Sequence, residues 1–198
     1  MNKSYVVVDI ETTWLKRTYH KITEIAAVRY DWSMIVEQFQ SLVNPQVLIP
    51  SFISRLTGIT NEMVAHQPTI DQLLPDFFDF LGDDIFVAHN ATFDRWFLEY
   101  NGVVHTGHIW KNKTLCTRKL ANRMFSQLPS KSLWALCEYF CIQNEQAHRA
   151  MADVQATVKL LQQCIVHYQQ ITWHTNVDEL LTIHDKPISY GKKLFSNI

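Results

Sequence analysis

Apolar residues come in blocks along the N-terminal part of the chain. Ser4 to Asp9 is a compact apolar run that ends on an acid, and it reads as a short buried strand. Ile22 to Tyr30 and Ile35 to Val43 follow as two further strand-like stretches, separated by turn residues from Asp31 to Ser33. Together they predict a three-stranded meander. Pro45 and Pro50 interrupt the pattern, and short helical pieces are expected through Met63 and Val64. Leu73, Leu74, Phe77 and Phe80 then recur at helical spacing and predict a helix over Ile70 to Leu81. Asp84 to Ala88 is again a compact strand. It feeds a helix that Asn90 can cap, with Phe93, Trp96, Phe97 and Tyr100 on its apolar face. Helices are also expected over Leu115 to Phe125 and Ser132 to Cys141, the second with Leu133, Leu136, Cys137, Phe140 and Cys141 inward. The longest periodic run, Met151, Val154, Val158, Leu161, Ile165 and Tyr168, predicts a helix packed firmly on the sheet.

Strands alternating with helices in this way indicate an α/β domain with a central sheet that contains an antiparallel meander. A chain of 198 residues with 47% hydrophobic content fits one core. The expected division is residues 1–168 as the domain and 169–198 as an extension packed on it. Trp173, Tyr190 and Phe195 leave a partner-docking tail as the alternative. Met1 to Tyr5 has no basic region leading into an apolar run, and no segment stays apolar for ~18 residues, so a cytoplasmic chain without a membrane partner is expected. Cys116, Cys137, Cys141 and Cys164 contain no Cys-x-x-Cys pair and are expected to be reduced.

The formal net charge of −1 argues against a protein that coats long duplexes by neutralising phosphates. The charges are nevertheless segregated. No Lys or Arg lies between Arg55 and Arg95, where seven acids fall, counting Glu62, Asp71, Asp76, Asp79, Asp83, Asp84 and Asp94. Lys111, Lys113, Arg118, Lys119, Arg123 and Lys131 then follow without an acid between Glu99 and Glu138. That is compatible with a local track for an anionic ligand, or with two oppositely charged solvated faces.

Three clusters carry candidate chemistry. Asp9 and Glu11 are two residues apart, so in a strand they point to the same side and can converge on one hard cation; Glu11 could equally be an exposed loop acid. In AHNATFD, Asp94 falls in the first helical turn. There the helix dipole favours a carboxylate, which is aimed toward the strand end where α/β sheets hold ligands. His89 in the same stretch reads as a satisfied structural group. In HRAMAD, five residues of helix rotate by about 140°, so His148 and Asp153 would not share a helical face. His148 therefore belongs in the loop before the helix, as a movable proton acceptor beside a fixed Asp153, or else as a surface histidine beside a dipole-stabilising acid.

Taken together, Asp9-x-Glu11, His-Asn-x-x-Phe-Asp94 and His148-x-x-x-x-Asp153 closely resemble the three motifs of the His-containing branch of the DEDD superfamily, the DnaQ-like 3′-to-5′ exonucleases. This family includes the proofreading epsilon subunit of DNA polymerase III. LTGITNEMV, residues 56–64, and SLWALCEYFCI, residues 132–142, are similar to the family's segments between these motifs. The resemblance implies an RNase H-like fold and two divalent cations, Mg²⁺ or Mn²⁺, held by Asp9, Glu11, Asp94 and Asp153. It also implies His148 as general base and release of nucleoside 5′-monophosphates from a single-stranded or frayed DNA 3′ end. Thr12, Thr13, Trp14, Thr57, Asn90, Arg118, Lys119 and Arg123 are the expected substrate-side residues, and a DNA polymerase subunit is the expected partner.

Trp14 departs from the family, which usually has Gly after Glu-Thr-Thr. It can be a packing residue, a platform for the terminal base or a steric brake. An RNA 3′-end trimmer and a non-catalytic nucleic-acid-binding or polymerase-associated module are the alternative functions, because the motifs do not discriminate the sugar. A zinc site from His105, His108 and Cys116 has irregular spacing and is disfavoured.

Overall fold

The computed structural model describes residues 4–31, 33–144, 146–172 and 177–185. Strands β1 (Tyr5–Thr12), β2 (Ile22–Tyr30) and β3 (Ile35–Leu42) form the antiparallel meander. Helices α1 (Ser51–Thr57), α2 (Asn61–Val64) and α3 (Ile70–Leu81) lead to β4 (Ile85–Ala88), which pairs parallel with β1. Helix α4 (Thr92–Thr106) then leads to β5 (Thr114–Cys116), parallel to β4, giving the sheet order β3-β2-β1-β4-β5. Helices α5 (Thr117–Met124), α6 (Leu133–Tyr139), α7 (Ala150–Thr172) and α8 (Val177–Asp185) complete the described chain. This mixed five-stranded sheet flanked by helices is the α/β arrangement that the resemblance implies.

The sheet is covered on both faces, which is why β1, β2 and β4 read as near-continuous apolar runs. Side chains alternate along each strand. Tyr5, Val7, Ala26, Val28, Ile85 and Val87 face the core formed with α5, α6, α7 and α8. Val6, Val8, Ile10, Ile25, Ala27 and Phe86 face the core formed with α3 and α4. Leu180, Leu181 and Ile183 of α8 join the first core, while Trp173, Tyr190 and Phe195 lie outside the described residues. No helix among the described residues is long and apolar enough to cross a membrane.

The fold differs from the sequence pattern in five places. Strand β1 continues past Asp9 to Thr12 because β2 pairs with it over that whole length, with a register irregularity only at Glu11/Thr12. The helix expected from Leu115 begins at Thr117. Leu115 and Cys116 are instead buried in β5, whose three residues are too few for a period-2 pattern to be seen. Asn90 does not cap α4 with its side chain. Ala91 is the N-cap residue, and Asn90 adopts a left-handed φ of 67°, its carbonyl accepting from the Phe93 N–H. Asn tolerates that conformation better than most L-residues. The buried face of α4 is Asp94, Phe97, Leu98 and Asn101, and Trp96 is exposed with the Arg17 guanidinium over its ring. Finally, α6 ends at Tyr139, and Cys141 lies beyond it at φ 53°, exposed.

Candidate active site

Strand β4 pairs with β1 only over Tyr5 to Val7, so the Asp9 to Thr12 half of β1 projects past its parallel neighbour. The Ile10 N–H on that free edge is taken by Asp94 Oδ1 at 3.3 Å, which ties the first turn of α4 to β1. By strand alternation Asp9 and Glu11 continue the side of Tyr5 and Val7, the side on which α7 packs. Helix α7 begins at Ala150, so Asp153 is in its first turn and His148 is in the preceding loop, as the rotation argument requires. Ligand atoms of Glu11, His148 and Asp153 all lie within 4.8 Å of one another.

Electrostatics add Asp9 and Asp94 to this group. Burial pushes Asp9 well above the usual carboxylate range, and the neighbouring charges of Asp94, Glu11, Asp153 and Glu24 push it further. Burial lifts Glu11 to about 8, with Asp153, Glu24 and Asp94 adding to the rise and Arg149 opposing it. Burial lifts Asp94 to about 7, moderated by the N–H groups of Asp94 itself and Ile10. Asp153 is held in place by Asn144 Nδ2 at 2.7 Å and by the His148 N–H at 3.1 Å. Crowded carboxylates that resist ionisation, together with one imidazole, fit a divalent cation with hard oxygen preference, because its charge reverses the mutual repulsion.

The other expected residues do not all meet there. The Thr12 hydroxyl donates to the Trp14 carbonyl at 2.6 Å, and the Thr13 hydroxyl accepts from the Lys21 N–H at 3.0 Å. Both are buried and shape the loop after β1. Trp14 is 41% exposed and packs edge-on against Phe52 of α1, with ring centroids 4.9 Å apart. Thr57 is buried at the end of α1, between the Ile53 carbonyl and the Ile59 N–H. Asn90 is exposed at the end of β4. Arg118, Lys119 and Arg123 lie on α5, across β4 and β5 from the β1 acids. Lys119 lines a cleft of about 850 Å³ with Arg95, Lys113, His184 and Asp185, and Arg123 donates to the Lys119 carbonyl at 3.2 Å. None of Asp9, Glu11, Asp94, His148 and Asp153 lines this cleft.

His89 is structural. Its ring nitrogens meet the Thr117 hydroxyl and the Lys131 carbonyl, each at 2.9 Å, and burial drives its pKa down to about 4. His105, His108 and Cys116 assemble no metal-capable group among the described residues; His108 is stacked on Phe78.

Two neighbours of the site escaped the sequence pattern. Asn144 holds Asp153. Glu24 on β2 is fully buried directly opposite Glu11 in the β1–β2 register. Its signal was a lone acid within a strand otherwise read as buried.

The family model RNase_T, described as an exonuclease, matches residues 6–161. A putative bifunctional exonuclease/endonuclease protein of Mycobacterium tuberculosis is 44% identical over 167 residues, which is 80% of this chain and 26% of that protein. The DNA polymerase III subunit epsilon of Aquifex aeolicus is 37% identical over 160 residues, covering 81% of this chain and 79% of that one. A PolC-type DNA polymerase III of Clostridium perfringens is 37% identical over 93% of this chain, which spans only 12% of the polymerase. Among solved structures, Exonuclease X in complex with 5′ overhanging duplex DNA superposes with a TM-score of 0.72 at 28% identity, over 91% of this chain and 99% of that one.

Proposed function

Because the chain belongs to the exonuclease family whose model spans residues 6–161, we propose that it is a divalent-metal-dependent 3′-to-5′ exonuclease. Its substrate is the single-stranded or frayed 3′ end of DNA, and its products are nucleoside 5′-monophosphates. The observation that carries the reading is the convergence of Asp9 and Glu11 from β1, Asp94 from α4, His148 from the loop before α7 and Asp153 from its first turn. The DNA assignment is supported by the likeness to the epsilon subunit and to Exonuclease X.

In this reading Asp9, Glu11, Asp94 and Asp153 hold the cations, Mg²⁺ or Mn²⁺. When bound, these lower the pKa of the attacking water and stabilise the leaving 3′ oxygen. His148, exposed on its loop beside Glu11 and Asp153, takes the proton of the attacking water. The Asn144 and His148 N–H bonds keep Asp153 in one orientation, so its oxygens do not reorganise during the reaction. The exposed Trp14–Phe52 pair stands in the loop and helix beside the strand bearing Asp9 and Glu11 and offers an aromatic face to the terminal base. Residues 1–168 constitute the exonuclease domain and 169–198 an extension. We place the protein in the cytoplasm beside a DNA polymerase, a reading that the epsilon and PolC likeness supports.

The test is product identity. Single-stranded DNA labelled at its 3′ nucleotide, incubated with Mg²⁺, should yield labelled nucleoside 5′-monophosphate with wild-type protein and none with Asp9→Ala. Release of a 3′-monophosphate, or equal release by both proteins, overturns the assignment.

A further inference from the structure

Glu24 accepts four hydrogen bonds. Arg149 Nε and the Ala150 N–H reach Oε2 at 3.2 and 3.1 Å, and Arg149 Nη2 and Gln40 Nε2 reach Oε1 at 3.1 and 3.0 Å. An ionised carboxylate has about four acceptor positions, so Glu24 is saturated by protein donors. Although it lies opposite Glu11 and is fully buried, it has no lone pair left for a cation. Its charge is used elsewhere.

Arg149 directly follows His148, and Ala150 is the first residue of α7, where a backbone N–H has no partner within the helix. Glu24 thus caps α7 from a strand 126 residues away in the chain and grips the guanidinium of the last loop residue in a two-point fork. His148 sits one residue before this anchor with φ at 66°, a left-handed conformation that a non-glycine residue keeps only where its surroundings impose it. Beyond Ala150, α7 is fixed independently by the burial of Val154, Val158, Leu160 and Leu161. The loop residue His148 has no such packing and is exposed.

We propose that Glu24 and Arg149 are a positioning pair for His148: the fork on buried Glu24 fixes the loop's last residue so that the imidazole is presented beside Glu11 and Asp153. The catalytic part of this inference rests on the exonuclease reading above, whereas the loop anchoring does not. Replacing Arg149 frees the loop while leaving the body of α7 packed. Loss of an outer partner of this kind typically lowers activity by roughly 10- to 100-fold.

A double-mutant cycle on DNA hydrolysis, paired with hydrogen exchange of the 143–149 segment, tests the proposal. Arg149→Ala should lower kcat with little change in KM. In a His148→Ala background the same replacement should change kcat hardly at all, since the group it positions is gone. Arg149→Lys, which keeps the charge but not the fork, should recover part of the rate. If Arg149→Ala slows the His148→Ala protein by the full factor, the pair does not act through His148 and the proposal fails. Amide exchange in 143–149 should accelerate in Arg149→Ala while the body of α7 stays protected. Unchanged exchange there overturns the anchoring whether or not the protein cleaves DNA, and an inactive wild type with accelerated exchange in the variant would refute the exonuclease reading alone.

Discussion

Withdrawing divalent cations while raising the pH probes the charge balance of the site without reference to turnover. In metal-free protein burial holds Glu11 near about 8 and Asp94 near about 7, with Asp9 shifted the same way. A carboxyl whose folded pKa is raised stabilises the fold fully below its unfolded value, and that contribution is lost as pH rises through the folded value. Histidines oppose this at lower pH. His89, pushed down to about 4, favours the fold increasingly as pH rises to its ordinary 6.5, and His108, His167 and His184 are shifted in the same direction. The clean window is therefore pH 6.5 to 8. Across it, Asp94 and Glu11, the latter discounted for its partial exposure, together give up about 2 kcal/mol. For a domain of this length that lowers Tm by about 4–8 °C. Thermal unfolding in EDTA should show this fall, Mg²⁺ should flatten it by binding the ionised carboxylates, and an Asp9→Asn/Glu11→Gln/Asp94→Asn variant should lack it. A Tm in EDTA that is level or rising across the window, or a fall that persists in the variant, refutes the reasoning.

Asp94→Ala and Asp153→Ala should each remove nearly all single-turnover cleavage, and His148→Ala should lose roughly 10²- to 10⁴-fold in rate while still binding Mn²⁺. A Mn²⁺ titration of His148→Ala that shows no binding would make His148 a ligand. Trp14→Ala should weaken binding of single-stranded DNA by about 1 to 3 kcal/mol, with Trp14→Phe recovering much of it. Unchanged affinity in a folded Trp14→Ala protein rules out stacking, and a loss of about 3 to 5 kcal/mol in stability would assign Trp14 to packing. If the strand upstream of the cleaved end runs along α5, Arg118→Ala/Lys119→Ala should raise KM on long single strands and flatten its salt dependence, leaving dinucleotide cleavage unchanged; equal effects on both substrates place these residues off the strand's path.

The elements that were legible in the sequence are those whose burial leaves a long periodic trace. The meander shows because its central strands are covered on both faces, and α7 because Val154, Val158, Leu161 and Ile165 line one stripe. The acids were legible for a geometric reason: i and i+2 share a strand face, and the helix rotation separates His148 from Asp153. What stayed hidden depends on distant partners. β5 is strand only because β4 lies beside it. The face of α4 was legible only in part: Phe93 and Phe97 pack on the core, but Asp94 and Asn101 are buried polar residues there, while the large apolar Trp96 points to solvent. Glu24 reads as an acid in a strand until Arg149 closes on it, and Thr12 and Thr13 read as substrate-side hydroxyls until the loop they hold is seen.

The most direct test of the account is digestion of single-stranded DNA, duplex DNA and single-stranded RNA of one sequence, each labelled at the 5′ end, with Mg²⁺ and with EDTA. The account predicts a Mg²⁺-dependent ladder shortening stepwise from the 3′ end, fastest on single-stranded DNA, and no products in EDTA. Immediate release of the labelled 5′ nucleotide, cleavage that persists in EDTA, or a ladder on RNA with DNA left intact would contradict it.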